Sequence, residues 1–179
     1  MKPLAKRYQD VIPELKKELA IANLWELPRI QKVSLNVGIG SIRGNTDRVE
    51  AITKALSKIA GQAPAKTASK KSIAGFKVRE GDIVGLRVTL RGRKMADFID
   101  RLIAINLPRQ RDFSGLTPDQ FDKQGNLTLG FKDHAIFYEL TGDYFETPFG
   151  LSVTISISHS NPQKSLTLLQ QLGFPINKG

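Results

Sequence analysis

The chain has 179 residues, 27 Lys plus Arg against 17 Asp plus Glu, a formal charge of +10 and no cysteine. One domain is the default at this length, with two small ones as the alternative. A disulfide framework, a thiolate metal site and a Cys nucleophile are excluded, and the charge calls for an anionic partner.

Leu4, Tyr8, Val11, Leu15, Leu19 and Ala22 recur at helical spacing. Pro13 falls inside that stripe and predicts a kink or the start of a second helix. Trp25 reads as a core or helix-packing residue. Over 30–39, Val33, Leu35 and Val37 alternate with Lys32, Ser34 and Asn36, which predicts a half-buried strand. Gly38, Gly40 and Gly44 loosen the following loop. A helix is expected from about Asp47, with Glu50 completing a capping box, Val49, Ile52, Leu56 and Ile59 as its stripe and Gly61 as its stop. Residues 63–71 can form a strand, and Pro64 confines it to an edge. Residues 72–82 read as a loop or hairpin arm bending near Gly75 and Gly81. Residues 83–91 give the clearest strand, with Val84, Leu86, Val88 and Leu90 on one face and Gly85, Arg87, Thr89 and Arg91 on the other.

Helix 94–105 is expected to bury Met95, Phe98, Ile99, Leu102 and Ile103 and to stop before Pro108. Residues 106–126 lack periodicity and predict a long loop. Leu127, Leu129 and Phe131 alternate again, as do Leu151, Val153, Ile155 and Ile157. The last helix has Asn161 as N-cap, Pro162 in its first turn and Gly173 at its end. No apolar run nears the ~18 residues of a membrane span, and the charged start lacks a secretory signal core. A cytoplasmic protein is expected.

These strands share an aliphatic face and a polar face, so the fold class is α+β: an antiparallel sheet with helices packed on one face and the other face open for RNA. The polar face holds Lys32, Ser34, Asn36, Arg87, Thr89, Arg91, Ser152, Thr154 and Ser156, and no aromatic. Unpaired bases are usually stacked on aromatic side chains, so this face suits phosphates, 2′-hydroxyls and the shallow minor groove of structured RNA. Charge follows the same division. Residues 1–94 carry 20 basic and 8 acidic side chains; residues 95–179 carry 7 and 9. A single domain 1–179 is expected, its RNA-binding basic portion spanning residues 1–94 and its neutral to acidic portion residues 95–179. An ordinary solvated face is the alternative, weakened by the 11 basic residues against Glu80 and Asp82 between Lys54 and Lys94.

Other chemistry is poorly supported. Gly38, Gly40 and Gly44 have the wrong spacing for a dinucleotide loop, and no Walker lysine follows a glycine loop. His134 and His159 lack a nucleophile or a metal set. Asp112, Asp119 and Asp122 do not have EF-hand spacing. No catalytic residue, metal or cofactor is expected. The stretch from Lys70 to Arg79 is basic with an apolar centre; it reads as an arm for a second phosphate-rich partner, with Phe76 supporting its base. A general RNA chaperone stays open as a second reading, as does a nucleotide-dependent enzyme.

Three segments carry a resemblance over nearly the whole chain: Pro28 to Gly40, Ile59 to Pro64 with Lys70 to Gly81, and Phe131, His134 and the ending Leu172-Gly173-Phe174-Pro175. They resemble the bacterial-type family of large-subunit ribosomal protein number five, the 5S rRNA-binding ribosomal proteins. The resemblance implies a non-enzymatic part of the large subunit that anchors 5S rRNA in the central protuberance. It implies 23S rRNA, peptidyl-site tRNA, a basic small-subunit head protein and other 5S-associated ribosomal proteins as partners, with no membrane and no obligate homo-oligomer. Asn36, Gln62 and Thr89 match polar family positions facing 5S rRNA; Lys32, Ser34, Arg87 and Arg91 join them by strand alternation. Lys70, Lys71, Ser72, Gly75, Phe76, Lys77 and Arg79 match the tRNA-contacting loop. Asp112 and the acidic stretch would serve the bridge to the small subunit. Ser41-Ile42-Arg43-Gly44 departs from the more acidic or small-residue exit that the family implies.

Overall fold

The structure, a computed structural model, describes residues 2–177 except positions 22, 43, 77, 111, 112, 114 and 141–147. Its main elements are α1 (Leu4–Glu18), β1 (Arg29–Gly38), α2 (Thr46–Ala60), β2 (Ala65–Ala68), β3 (Ile83–Leu90), α3 (Gly92–Arg101), β4 (Leu127–Phe131), β5 (Leu151–Ser158) and α4 (Pro162–Gln171). The fold is α+β, with a five-stranded antiparallel sheet in the order β2-β3-β1-β5-β4. The short β2 lies at an edge, where the proline before it costs no ladder bond. No helix among the described residues is long and apolar enough to cross a membrane. The chain divides into two compact units.

The first unit comprises Met1–Val33, Leu90–Leu129 and Thr154–Gly179. Its helices meet through α1, which packs on α3 and α4. Pro13 neither breaks α1 nor opens a second helix. Burial of Leu4, Val11 and Leu15 along one face outweighs a single lost backbone bond. Pro3 supplies no side-chain cap, and Asp100 of α3 does so instead, accepting the Leu4 N–H at 3.0 Å. Arg7 completes the clamp, donating to the Asp100 carboxylate and to the Leu172 carbonyl.

Beyond Arg101, α3 does not stop at 105. It passes through a π-turn, Leu102–Asn106, closed by the Leu107 N–H on the Leu102 carbonyl, and then through a last turn, Leu107–Arg109. Pro108 sits at the start of that turn, where its missing N–H is not needed. The loop expected from 106 therefore begins at Gln110. Some of it is tied down, since Leu116 bridges Ile176 in parallel and Phe121 bridges Leu127. Asn161 accepts the Lys164 N–H at 2.8 Å and so caps α4 as expected.

Trp25 is not a core residue: it is 72% exposed. The 3-10 turn Leu24–Glu26 turns it outward, while Leu27 and Pro28 take the buried positions.

The second unit comprises Ser34–Thr89 and Gly130–Val153. Asn45 caps α2 by accepting the Arg48 N–H at 3.0 Å, so the helix starts at Thr46, just ahead of the expected Asp47–Glu50 box. Gly61 ends it in the left-handed region at φ +66°. Ile52, Ala55, Leu56, Ile59 and Ala60 are buried, as are Leu35 and Val37 of β1 and Leu86 and Val88 of β3. Phe131 meets Phe137 edge-on at 5.7 Å, and His134 stacks parallel on Phe149 at 4.5 Å. The apolar rows follow the alternation of the strands and the 3.6-residue stripe, except that Val49 of α2 and Val84 of β3 are only half-buried.

Candidate nucleic-acid interface

In the second unit the polar positions of β1 and β3 come with Gln62. On β1, Val37 and Leu35 are buried and Asn36 is half-buried between them. On β3, Arg87 is exposed and Thr89 half-buried, flanked by buried Leu86, Val88 and Leu90. The left-handed Gly61 turns the chain off α2, and Gln62 Nε2 then donates to the Thr89 carbonyl at 3.2 Å. Residues 27 positions apart are thereby joined. Gly85 belongs to the same strand: a Cβ there would lie 2.8 Å from Thr67 Oγ1 and 3.3 Å from the Val37 carbonyl. Ser34 is buried, at 3% exposure, unlike its neighbours in the row.

The first unit carries the rest. Lys32 is half-buried, and Arg91 is exposed on extended backbone at the start of α3. Thr128 of β4 and Thr154 of β5 bring their hydroxyls to 3.3 Å, a cross-strand pair that strand alternation alone did not reveal. The Ser158 hydroxyl donates to the Arg29 carbonyl at 3.3 Å. These first-unit residues are hydroxyls and cations.

The basic loop is a small closed structure. At its neck the Ser69 N–H donates to the Asp82 carbonyl at 2.8 Å and the Gly81 N–H to the Ser69 carbonyl at 3.0 Å. Above it, Ile73 and Val78 form an antiparallel bridge around the turn Ala74–Phe76. The Glu80 N–H donates to Ser72 Oγ at 3.0 Å, and the Arg79 N–H to Asp82 Oδ2 at 2.9 Å. Lys70, Lys71, Ser72, Gly75 and Arg79 are all exposed around this frame. Phe76 does not support the base of the loop; it is 76% exposed at the tip, with Ile73 48% exposed. Lys77 lies outside the described residues, as does Asp112.

Asp122 serves a turn: its carboxylate accepts the N–H groups of Gln124 and Asn126 and the Asn126 amide. Burial pushes its carboxyl up, but the hydrogen bonds from Asn126, Gln124 and Gly125 prevail and hold it below the usual range. Asn126 Oδ1 in turn accepts the Ile157 N–H at 3.1 Å, so the turn held by the acid is tied to the end of β5. Among the described residues no group of three or more His, Asp or Glu could hold a metal ion. The glycine stretch after β1 forms turns, with the Ile42 N–H on the Ile39 carbonyl at 3.0 Å.

Two family models match the chain: ribosomal protein L5 over residues 23–79 and the C-terminus of the same ribosomal protein family over residues 83–176. The large ribosomal subunit protein uL5 of Thermus aquaticus is 43% identical over 173 residues, covering 97% of this chain and 95% of that protein. The uL5 protein of Desulfovibrio desulfuricans is 45% identical over 179 residues, covering 99% and 100%. That of Nitratidesulfovibrio vulgaris strain DP4 is 46% identical over 170 residues, covering 95% of each chain.

Proposed function

The chain belongs to the ribosomal protein L5 family, a structural and non-enzymatic component of the large ribosomal subunit, and from that premise we propose that it binds 5S rRNA and anchors it in the central protuberance. In bacteria that subunit is cytoplasmic, and membership implies association with rRNA and other ribosomal components. The observation that carries the finer reading is the Gln62–Thr89 bond, which holds an amide beside a strand row of Asn36, Arg87 and Thr89. Short, fixed donors and acceptors read the 2′-hydroxyls and phosphates of a folded RNA, and cations beside them supply affinity. Lys32 and Arg91, in the first unit, serve the same RNA, whereas Ser34 is buried and is not presented for contact.

The closed loop bearing Lys70, Lys71, Ser72, Gly75, Phe76 and Arg79, with Lys77, contacts the peptidyl-site tRNA. Its frame of backbone hydrogen bonds presents the cations at a fixed place, and exposed Phe76 offers a ring to a sugar or base. The acidic stretch around Asp112 bridges to a basic protein in the head of the small subunit. 23S rRNA and other 5S-associated proteins complete the setting.

The test is a titration of the purified protein against 5S rRNA, bulk tRNA and a random duplex RNA of equal length, at two salt concentrations. Tighter binding of 5S rRNA that persists at the higher salt is the expected outcome. Equal binding of all three, collapsing with salt, would reduce the basic surface to a non-specific electrostatic footprint and remove the sites assigned above.

A further inference from the structure

Trp25 is the only tryptophan of the chain, and it is 72% exposed. An indole left in water forfeits the burial that makes tryptophan favourable in a fold. Its turn is nevertheless firmly built. Asn23 Oδ1 accepts the Trp25 N–H at 3.0 Å, Leu27 and Pro28 anchor the next two positions by burial, and the Tyr8 hydroxyl donates to the Pro28 carbonyl at 2.6 Å. The ring is thus presented on a fixed support. The Arg29 guanidinium stands over the ring, 5.2 Å from its centroid. Around them lies a cleft of about 360 Å³ lined by Tyr8, Ile12, Leu24, Trp25, Leu27 and Arg29, with Leu24 55% exposed. None of these residues belongs to the polar strand rows or to the basic loop.

We propose that Trp25 and Arg29 form a stacking site for one unpaired nucleobase of ribosomal RNA, the indole taking the base and the guanidinium the phosphate of the same nucleotide. A rigid aromatic ring and a neighbouring cation are the two elements by which proteins hold single-stranded bases, and the polar strand rows have the second without the first. The occupant is RNA rather than an apolar protein segment for two reasons. The cation sits on the ring itself, and residues 1–94 carry 20 basic against 8 acidic side chains. Glu26 is the opposing charge in the turn. The site needs only the family's place in the large subunit, not the 5S reading. Loss of 5S preference would leave it standing, and its own failure would leave that preference untouched.

Because Trp25 is the sole tryptophan, its fluorescence reports this site alone. The full chain is titrated with a short single-stranded oligoadenylate and, separately, with an RNA duplex of the same length. Saturable quenching by the single strand, and little by the duplex, is expected. In a direct binding assay with labelled oligoadenylate, Trp25→Ala should weaken binding on the order of tenfold and Trp25→Phe clearly less, as expected for loss of one stacked base. Circular dichroism checks that both variants remain folded. A single strand that binds without quenching, or binds Trp25→Ala as tightly as the parent, overturns the proposal. Large subunits carrying Trp25→Ala give the second arm. An unpaired base newly reactive to dimethyl sulfate supports the site; an unchanged pattern assigns the surface to a protein neighbour and overturns it.

Discussion

His134 shows how one side chain can set a pH limit. It is nearly covered, stacked on Phe149, and Phe149 donates its N–H to Nδ1 at 3.4 Å. Burial lowers its pKa, and the Asp133 carboxylate, 3.2 Å from the same nitrogen, opposes that to a lesser extent. The neutral ring keeps Nδ1 as an acceptor for Phe149; protonation turns it into a donor toward Asp133 and breaks the first contact. The unfolded chain takes up the proton near an ordinary value of about 6.5. The folded chain does so only at lower pH, so the contribution of His134 is fully present above that value and is lost as pH falls through the folded pKa. Thermal unfolding of the parent should therefore lose more stability than that of His134→Gln between about pH 7 and pH 5. Equal losses would mean that the ring is not held in its neutral form. At Gly125 the demand is steric instead: φ is +79°, and a Cβ would lie 2.6 Å from Ser165 Oγ. The Ser165 hydroxyl donates to the Gly125 carbonyl, so the fit of the turn to α4 excludes any side chain there.

At the scale of elements, α1 depends on another helix for its start. Asp100 accepts the Leu4 N–H and the Arg7 guanidinium while about one quarter exposed, so it caps α1 and ties it to α3. Replacing it with Ala removes the cap and leaves a nearly buried Arg7 without its carboxylate. A loss on the order of 2 kcal/mol is expected in chemical denaturation, with Asp100→Asn losing less because an amide oxygen still caps. Asn106 shows the opposite economy: it is fully buried in the π-turn, and neither polar atom has a partner among the described residues. What the sequence revealed of these elements follows from this difference in range. Strand rows such as Leu86, Val88 and Leu90, and the caps at Gly61 and Asn161, are local patterns and could be read directly. The Asp100 cap spans 96 residues and the Ser165–Gly125 bond spans 40, so no local pattern announces them. Trp25 misled for a related reason. Apolar character predicts burial on average, but the adjacent Leu27 and Pro28 occupied the buried positions. In the candidate interface, Asn36, Arg87 and Thr89 were legible from strand alternation, and Gln62 from the family resemblance. The bond that joins Gln62 to Thr89 required the fold.

For the whole molecule, the question is whether its +10 charge acts as one field or as separate sites. A uniform field would make any lost cation weaken every RNA alike and would reduce the salt slope for all of them. The geometry favours separate sites. The loop cations at Lys70 and Lys71 stand on a frame closed by its own hydrogen bonds, whereas Arg87 and Thr89 belong to a sheet strand with Gln62 bound to it. Cations that stand farther apart than the Debye length of ~8 Å are largely screened from one another at physiological salt. The doubly substituted Lys70→Ala, Lys71→Ala protein should therefore bind 5S rRNA as the parent does. Its affinity for tRNA should fall, and the slope of log affinity against log salt for tRNA should flatten by roughly one per lysine that meets a phosphate. Arg87→Ala should do the reverse. If both variants weaken both RNAs to the same extent at moderate salt, the charge works as a single field and the division between strand row and loop has no functional meaning. If the effects separate, the closed frame of the loop does more than shape it: it keeps one set of cations available for a second RNA while the first is bound.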